Sequence, residues 1–160
     1  MLIFAVRLIL EANGKMLFLR QTKRNGGRYT LIGGNVEEHE FAREALAREA
    51  KEEASIHVEP EDLTLVHTLH RHKLQKNETL LVLYFKADRF TGEPESMETK
   101  KFKDVEWFSP LDLPEEVSKP TRHVLQCIKD GEIYSEFPAR SKVVAFWEQF
   151  GKDWGGFYTL

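Results

Sequence analysis

Cysteine is almost absent from this 160-residue chain, with Cys127 standing alone. One thiol excludes an internal disulfide framework and a cysteine-built zinc site, and it predicts a reducing, cytoplasmic setting. No apolar run approaches the ~18 residues of a membrane-spanning helix, so no membrane partner is expected. The apolar start, Met1 to Leu10, is interrupted by Arg7 and has no basic stretch ahead of it, which reads as a strand and not as a secretory signal. Charge of one sign is scarce too. A net charge of −3 argues against a nucleic-acid coat or a membrane-surface binder. Internal repeats, low-complexity segments and interdomain linkers are lacking. What remains is 41% hydrophobic and 31% charged, enough for one domain with one good core.

The chain divides into short patterned segments. Residues 3–10 and 16–20 are apolar runs separated by Asn13-Gly14, a strong hairpin signal. Residues 23–28 are polar and glycine-rich and read as a loop. Tyr29 to Ile32 reads as a short strand ended by Gly33-Gly34. Residues 40–54 are rich in Ala, Glu, Arg and Leu and predict a helix. Leu63 to His70, Thr79 to Lys86 and Val105 to Phe108 read as strands. Residues 121–129 and 141–150 predict two late helices. Strands around an early helix, with helices late, predict an α+β fold or an α/β/α sandwich with a mixed β-sheet. Residues 1–137 form the expected domain, and 138–160 an aromatic-rich helical extension of it.

The acidity is concentrated. Residues 37–53 hold seven glutamates and three bases, a charge of −4 that leaves +1 for the remainder. On a helix at about 100° per residue, Glu52 falls about 60° to one side of Glu49 and Glu53 about 40° to the other. Ala42, Ala45 and Leu46 lie on the same face one turn earlier. Three carboxylates on a core-facing side repel one another and lose hydration, so a compensating positive charge is required. Arg48 and Lys51 project beside or behind this face. A divalent cation, Mg²⁺ or Mn²⁺, suits hard carboxylate oxygens.

This segment resembles the signature of the Nudix hydrolases, G-x5-E-x7-R-E-U-x-E-E-x-G-U, with U a bulky apolar residue. Gly34, Glu40, Arg48, Glu49, Glu52 and Glu53 stand at the matching positions. Ala50 is small for its apolar position. Ser55 replaces the glycine, where positive φ would strain it by ~1 kcal/mol and reshape the helix end. The resemblance spans roughly residues 1–130, because Glu106-Trp107-Phe108 and the following Leu-Asp-Leu-Pro also look Nudix-like.

The resemblance implies an α/β/α sandwich and a Mg²⁺- or Mn²⁺-dependent pyrophosphohydrolase. It acts on a nucleoside diphosphate linked to a further group. Glu49, Glu52 and Glu53 are then the metal ligands, with the carbonyl at Gly33. The pair Gly33-Gly34 lets the backbone approach metal and phosphate closely. Arg48 orients a signature glutamate, with Glu40 its partner. Glu49 and Glu98 are both candidates for the general base, Glu98 from a polar loop at 95–103 where many members keep an extra acid. Arg20, Gly34 and the basic cluster at 70–73, Arg71 in particular, are the candidates for phosphate contact.

The substrate is less legible. ADP-ribose hydrolases of the family often carry a proline about sixteen residues past the signature, and dinucleoside polyphosphate hydrolases a tyrosine slightly later. Residues 71–76 hold neither. The small, compact chain resembles the MutT-like branch, which converts a nucleoside or deoxynucleoside triphosphate, sometimes oxidised, to monophosphate and pyrophosphate. ADP-ribose or another nucleoside diphosphate sugar is the alternative, and a non-catalytic nucleotide sensor the second. Tyr29, Phe85, Trp107 and Phe108 are candidates for base stacking. Nucleic acid is not an expected partner. The tail holds six aromatics (Phe146, Trp147, Phe150, Trp154, Phe157, Tyr158), which pack on the domain, lid the pocket or face a partner in a homodimer.

Overall fold

The computed structural model describes residues 1–150. Nine strands and three helices follow in the order β1 (Leu2–Ile9), β2 (Glu11–Ala12), β3 (Lys15–Gln21), β4 (Tyr29–Thr30), β5 (Ile32–Asn35), α1 (Ala42–Ala54), β6 (Leu63–Lys73), β7 (Glu78–Ala87), β8 (Phe102–Phe108), α2 (Lys119–Lys129), β9 (Tyr134–Phe137) and α3 (Arg140–Phe150). The expected hairpin is there. Asn13 (φ 53°) and Gly14 (φ 74°) join β2 to β3 with the paired positive φ values of a type I′ turn.

A five-stranded mixed sheet runs β5-β1-β7-β6-β9. Its β1–β7 and β6–β9 pairs are parallel, and β1–β5 and β6–β7 antiparallel. A second sheet pairs β3 with β2, β4 and β8, all antiparallel. Helix α1 packs on β5 and β1, and α2 on β6 and β9. Alternation along β1 divides the core between them. Val6 and Leu8 join Ala45, Leu46 and Ala50 of α1, whereas Ala5 and Ile9 join Val82, Tyr84 and Val124 on the α2 side. This is the α/β/α arrangement with a mixed sheet. Among the described residues no helix is long and apolar enough to cross a membrane.

Four local expectations need correction. Gly33-Gly34 do not end a strand but lie inside β5, the edge strand of the larger sheet. The basic cluster at 70–73 is part of β6, because β6 pairs with β7 as far as Lys73 opposite Glu78. The polar loop before β8 ends at Lys101. Strand β9 was not anticipated: it is short, half exposed, and its apolar content is limited to Tyr134 and Phe137. What holds it is tertiary. His67, fully buried on β6, bonds Glu132 O at 2.8 Å and Ser135 Oγ at 2.7 Å. Helix α3 buries Val143 and brings Trp147 to His72. Trp154, Phe157 and Tyr158 lie outside the described residues.

Candidate active site

Helix α1 begins with the Glu44 carboxylate accepting from the Phe41 N–H at 2.8 Å. It ends at Ser55, which adopts the left-handed conformation (φ 57°, ψ 30°). Ser55 N–H and Ile56 N–H donate back to Lys51 O and Ala50 O, each at 3.2 Å. The helix end is therefore kept in the form a glycine would give it, with serine carrying the strain, and it is not reshaped. All three carboxylates remain on the helix.

Glu53 is the most deeply placed, only 4% exposed. It accepts from the Gly33 N–H at 3.1 Å and lies against Glu49. Burial, reinforced by the Glu49 charge, pushes its pKa up to about 8, against the opposing pull of the Gly33 bond and the Arg7 charge. No cationic side chain among the described residues stands within ion-pair distance of Glu53. Glu49 is largely buried, whereas Glu52 is about half exposed.

Arg48 reaches further than its helical angle implied. Its long side chain curls round to Glu49 Oε1 (3.0 Å) and Glu52 Oε2 (3.2 Å) with one nitrogen. The rest of the guanidinium grips both oxygens of Glu40, at 2.8 and 3.2 Å, and the Asn35 carbonyl at 3.2 Å. The Glu40 hydrogen bonds lift the Arg48 pKa and depress that of Glu40. Arg48 thus fixes the orientation of Glu49 and Glu52, and Glu40 fixes Arg48.

Gly33 is hemmed in by backbone, and Gly34 by the end of the Glu49 side chain. A Cβ on Gly34 would fall 2.2 Å from Glu49 Oε1, and one on Gly33 would fall 2.0 Å from Val6 O. Their bareness lets the edge strand seat the carboxylate helix.

Glu98 lies beside this group. Its segment is sewn to the end of α1 by Glu95 N–H to Ala54 O (3.1 Å) and Met97 N–H to Glu53 O (3.0 Å). Glu98 pairs with Lys101 at 3.2 Å. The Lys101 pKa is raised first by that contact and also by the charges of Glu53 and Glu49.

On the opposite face of the sheet a cleft of about 210 Å³ opens, its lining including Arg7, Gly33, Arg71, Tyr84, Ser118 and Thr121. Arg71, a candidate for phosphate contact, is among these lining residues. Arg20 is not among the lining residues; it stacks 4.4 Å over Tyr29 and pairs with Glu116 at 3.7 Å. Tyr29, Phe85, Trp107 and Phe108 do not line the cleft either, since all four pack into the two cores. The residue that sequence reasoning missed is Arg7. Its signal was the parity of β1, where it is the one charge on a face otherwise formed by Ile3, Ala5 and Ile9.

Among the described residues no three His, Cys, Asp or Glu side chains converge to cage an ion. Glu49 and Glu53 lie against each other, and Glu52 is joined to Glu49 through the Arg48 nitrogen that donates to both. Mg²⁺ is usually held by one or two carboxylates, with waters and substrate phosphates completing its six oxygens. A buried carboxylate pair in which only Glu49 has a guanidinium partner fits that demand.

The comparisons agree with this geometry. The model of the NUDIX domain matches residues 1–127. A MutT NUDIX hydrolase from Burkholderia pseudomallei superposes with a TM-score of 0.72 at 25% identity, covering 79% of this chain and 97% of that one. The E. coli ORF135 protein (TM-score 0.67, 22% identity, 81% and 89% covered) and a NUDIX hydrolase from Nitrosomonas europaea (0.68, 21%, 84% and 93%) share the fold. No curated protein sequence matches the chain. The signature residues, the carboxylate helix and the matched domain together make this chain a member of the Nudix family, a hydrolase of phosphoanhydride bonds in nucleoside diphosphate derivatives.

Proposed function

We propose that the chain is a Mg²⁺- or Mn²⁺-dependent pyrophosphohydrolase of a nucleoside or deoxynucleoside triphosphate, releasing the monophosphate and pyrophosphate. The observation that carries this reading is the buried Glu49–Glu53 pair, joined through Gly33 to a small cleft on the other face of the sheet that holds Arg7 and Arg71. The cleft, of about 210 Å³, is open to solvent and holds two guanidiniums and no carboxylate, which suits part of an anionic nucleotide.

Glu49, Glu53, Glu52 and the Gly33 carbonyl are the groups that would hold the cation. When bound, it supplies charge neutralisation of the phosphates and a water of lowered pKa. Arg48 keeps Glu49 and Glu52 aimed through its own anchor on Glu40. Arg7, next to Gly33 across the β1–β5 pairing, presents positive charge where the phosphates enter. Water attacks one phosphorus of the α–β anhydride, the bond from that phosphorus to the bridging oxygen breaks so that this oxygen leaves on the other phosphate, and the water proton passes to Glu49 or Glu98. Loss of most activity in Glu98→Gln, with Mg²⁺ affinity retained, assigns that proton to Glu98.

The test is product analysis by chromatography. Purified protein with Mg²⁺ is given each (d)NTP, 8-oxo-dGTP, ADP-ribose and dinucleoside polyphosphates, with Glu52→Gln and Glu53→Gln alongside. Monophosphate plus pyrophosphate from a triphosphate, lost in both variants, is the expected result. Turnover of ADP-ribose alone overturns the substrate class. Nucleotide binding without any turnover overturns catalysis in favour of a sensor.

A further inference from the structure

The chain has six histidines, and their surroundings sort them. His67 is fully buried with both ring nitrogens engaged, by Glu132 O and Ser135 Oγ. His39 and His57 are exposed, each beside one glutamate. His123 lies against Phe137 and Cys127. His70 and His72 lie together, their ring centroids 5.0 Å apart. Two residues apart on β6, they share the face opposite to Arg71 and the cleft. Strand β6 stands three places from β5 in the sheet. The pair is therefore roughly 14 Å across the sheet from the strand that seats Glu49 and Glu53.

A pocket of about 120 Å³ lies over the two rings, lined also by Glu136, Arg140, Val143 and Trp147. Trp147 of α3 meets His72 edge to face at 6.2 Å. Thr79 Oγ1 is 3.0 Å from His72 Nδ1. With Nδ1–H donating to Thr79, Nε2 keeps its lone pair and the ring is held in place, as behind most metal-ligating imidazoles. Burial, and then the His70 charge, lower the His72 pKa against the pull of Glu136, which favours the neutral, ligating ring. Two imidazoles on one tetrahedral ion, at N–metal distances of about 2.0–2.1 Å, set their centroids about 5 Å apart. The observed spacing is that of such a pair. Among the described residues no third ligand already closes on it. Glu136 is the nearest candidate: it is level with His70 on β9, exposed, and holds Tyr134 OH at 3.0 Å through one oxygen. Turning about its own side-chain bonds brings the carboxylate in. Arg140 is exposed, with its charge in solvent. Two nitrogens and one oxygen suit Zn²⁺ and its neighbours, whereas Mg²⁺ takes oxygen.

We propose that His70 and His72 form a second metal site, for a transition-metal ion of the Zn²⁺ class, with Glu136 as third ligand. The site ties β6 to β9 under α3 and does not rest on the reading of the carboxylate helix. It is tested by calorimetric titration of the full chain with Zn²⁺ in saturating Mg²⁺. One Zn²⁺ is expected per chain. His70→Gln and His72→Gln should each weaken it by ~10-fold or more, and Glu136→Gln by less, while Glu53→Gln and Cys127→Ser leave it unchanged. Thermal melting without metal confirms that the variants are folded. In the native chain, Zn²⁺ should shield His70 and His72 from diethyl pyrocarbonate, mapped by peptide mass spectrometry, and leave His39 and His57 reactive. Absence of Zn²⁺ binding, undiminished binding in both histidine variants, or equal shielding of all the exposed histidines overturns the site. Loss in Cys127→Ser or Glu53→Gln overturns it too, by moving the ion to α2 or to the carboxylate helix. Unchanged affinity in Glu136→Gln overturns the third ligand.

Discussion

The two faces of the five-stranded sheet carry different kinds of site. On the α1 face the chemistry is written on one helix: Glu49, Glu52 and Glu53 follow at intervals of three and one, and Arg48 precedes them. On the α2 face the cleft is assembled from residues of β1 and β3 to β8 and from the start of α2, with three side chains from β7 and no more than two residues from any other strand. The first is a local device that tolerates no change of spacing. The second depends on register between distant strands. Their charges are opposite as well, since a buried carboxylate pair lies behind the edge strand and the guanidiniums of Arg7 and Arg71 lie in front of it. Gly33 is the hinge between them, donating to Glu53 on one side and facing Arg7 on the other.

Glu53→Gln breaks this comparison most sharply. Hydrolysis should fall by ~10²–10³-fold, while monophosphate binding in the cleft stays within about twofold. Parallel loss of both, measured by kinetics and titration, would mean that the faces are not separable. Gly34→Ala comes next. Its methyl must displace the Glu49 carboxylate or the edge strand, and a fall of ~10–100-fold in kcat with a modest change in nucleotide affinity is expected.

Glu53 also sets a pH dependence. Its folded pKa, about 8, is above the ordinary 4.5, so between these values the folded protein keeps a proton that the unfolded chain releases. Metal-free stability therefore falls as pH rises from 4.5 to 8, by on the order of 2–4 kcal/mol. In EDTA, Glu53→Gln should match the native chain near pH 4.5 and melt higher than it near pH 9. A native chain as stable at pH 9 as at pH 5, relative to the variant, contradicts the burial of a charged Glu53. The smallest effect belongs to Ser55→Gly, which should stabilise the protein by ~0.5–1 kcal/mol in denaturant titration by relieving the positive φ, with activity unchanged.

What the sequence made legible follows the same division. The α1 site was readable because a helix converts spacing into a face, so Glu49 and Glu53 were placed together before any fold was known. Arg48 was misjudged in reach, since helical angle locates a Cβ and not the end of a six-atom side chain. The hairpin at Asn13-Gly14 and the long strands were equally local. Strand β9 was illegible because the buried His67 and its contacts with Glu132 and Ser135 hold it, and these are 65 or more residues apart in the chain. The four aromatics proposed for stacking were misplaced for a related reason: composition says that an aromatic is apolar, while only the layering says which core takes it. Arg7 was visible in principle, as the odd residue on one parity of β1, but its meaning required Arg71 and the cleft.

The most direct measurement is the number of protons released when Mg²⁺ binds at pH 7, from calorimetric titrations in buffers of different ionisation enthalpy. If the cation takes the Glu49–Glu53 pair, roughly one proton leaves per ion, and Glu53→Gln abolishes the release. Mg²⁺ binding without proton release, or with the same release in the variant, would place the cation elsewhere and contradict the role assigned to the buried pair.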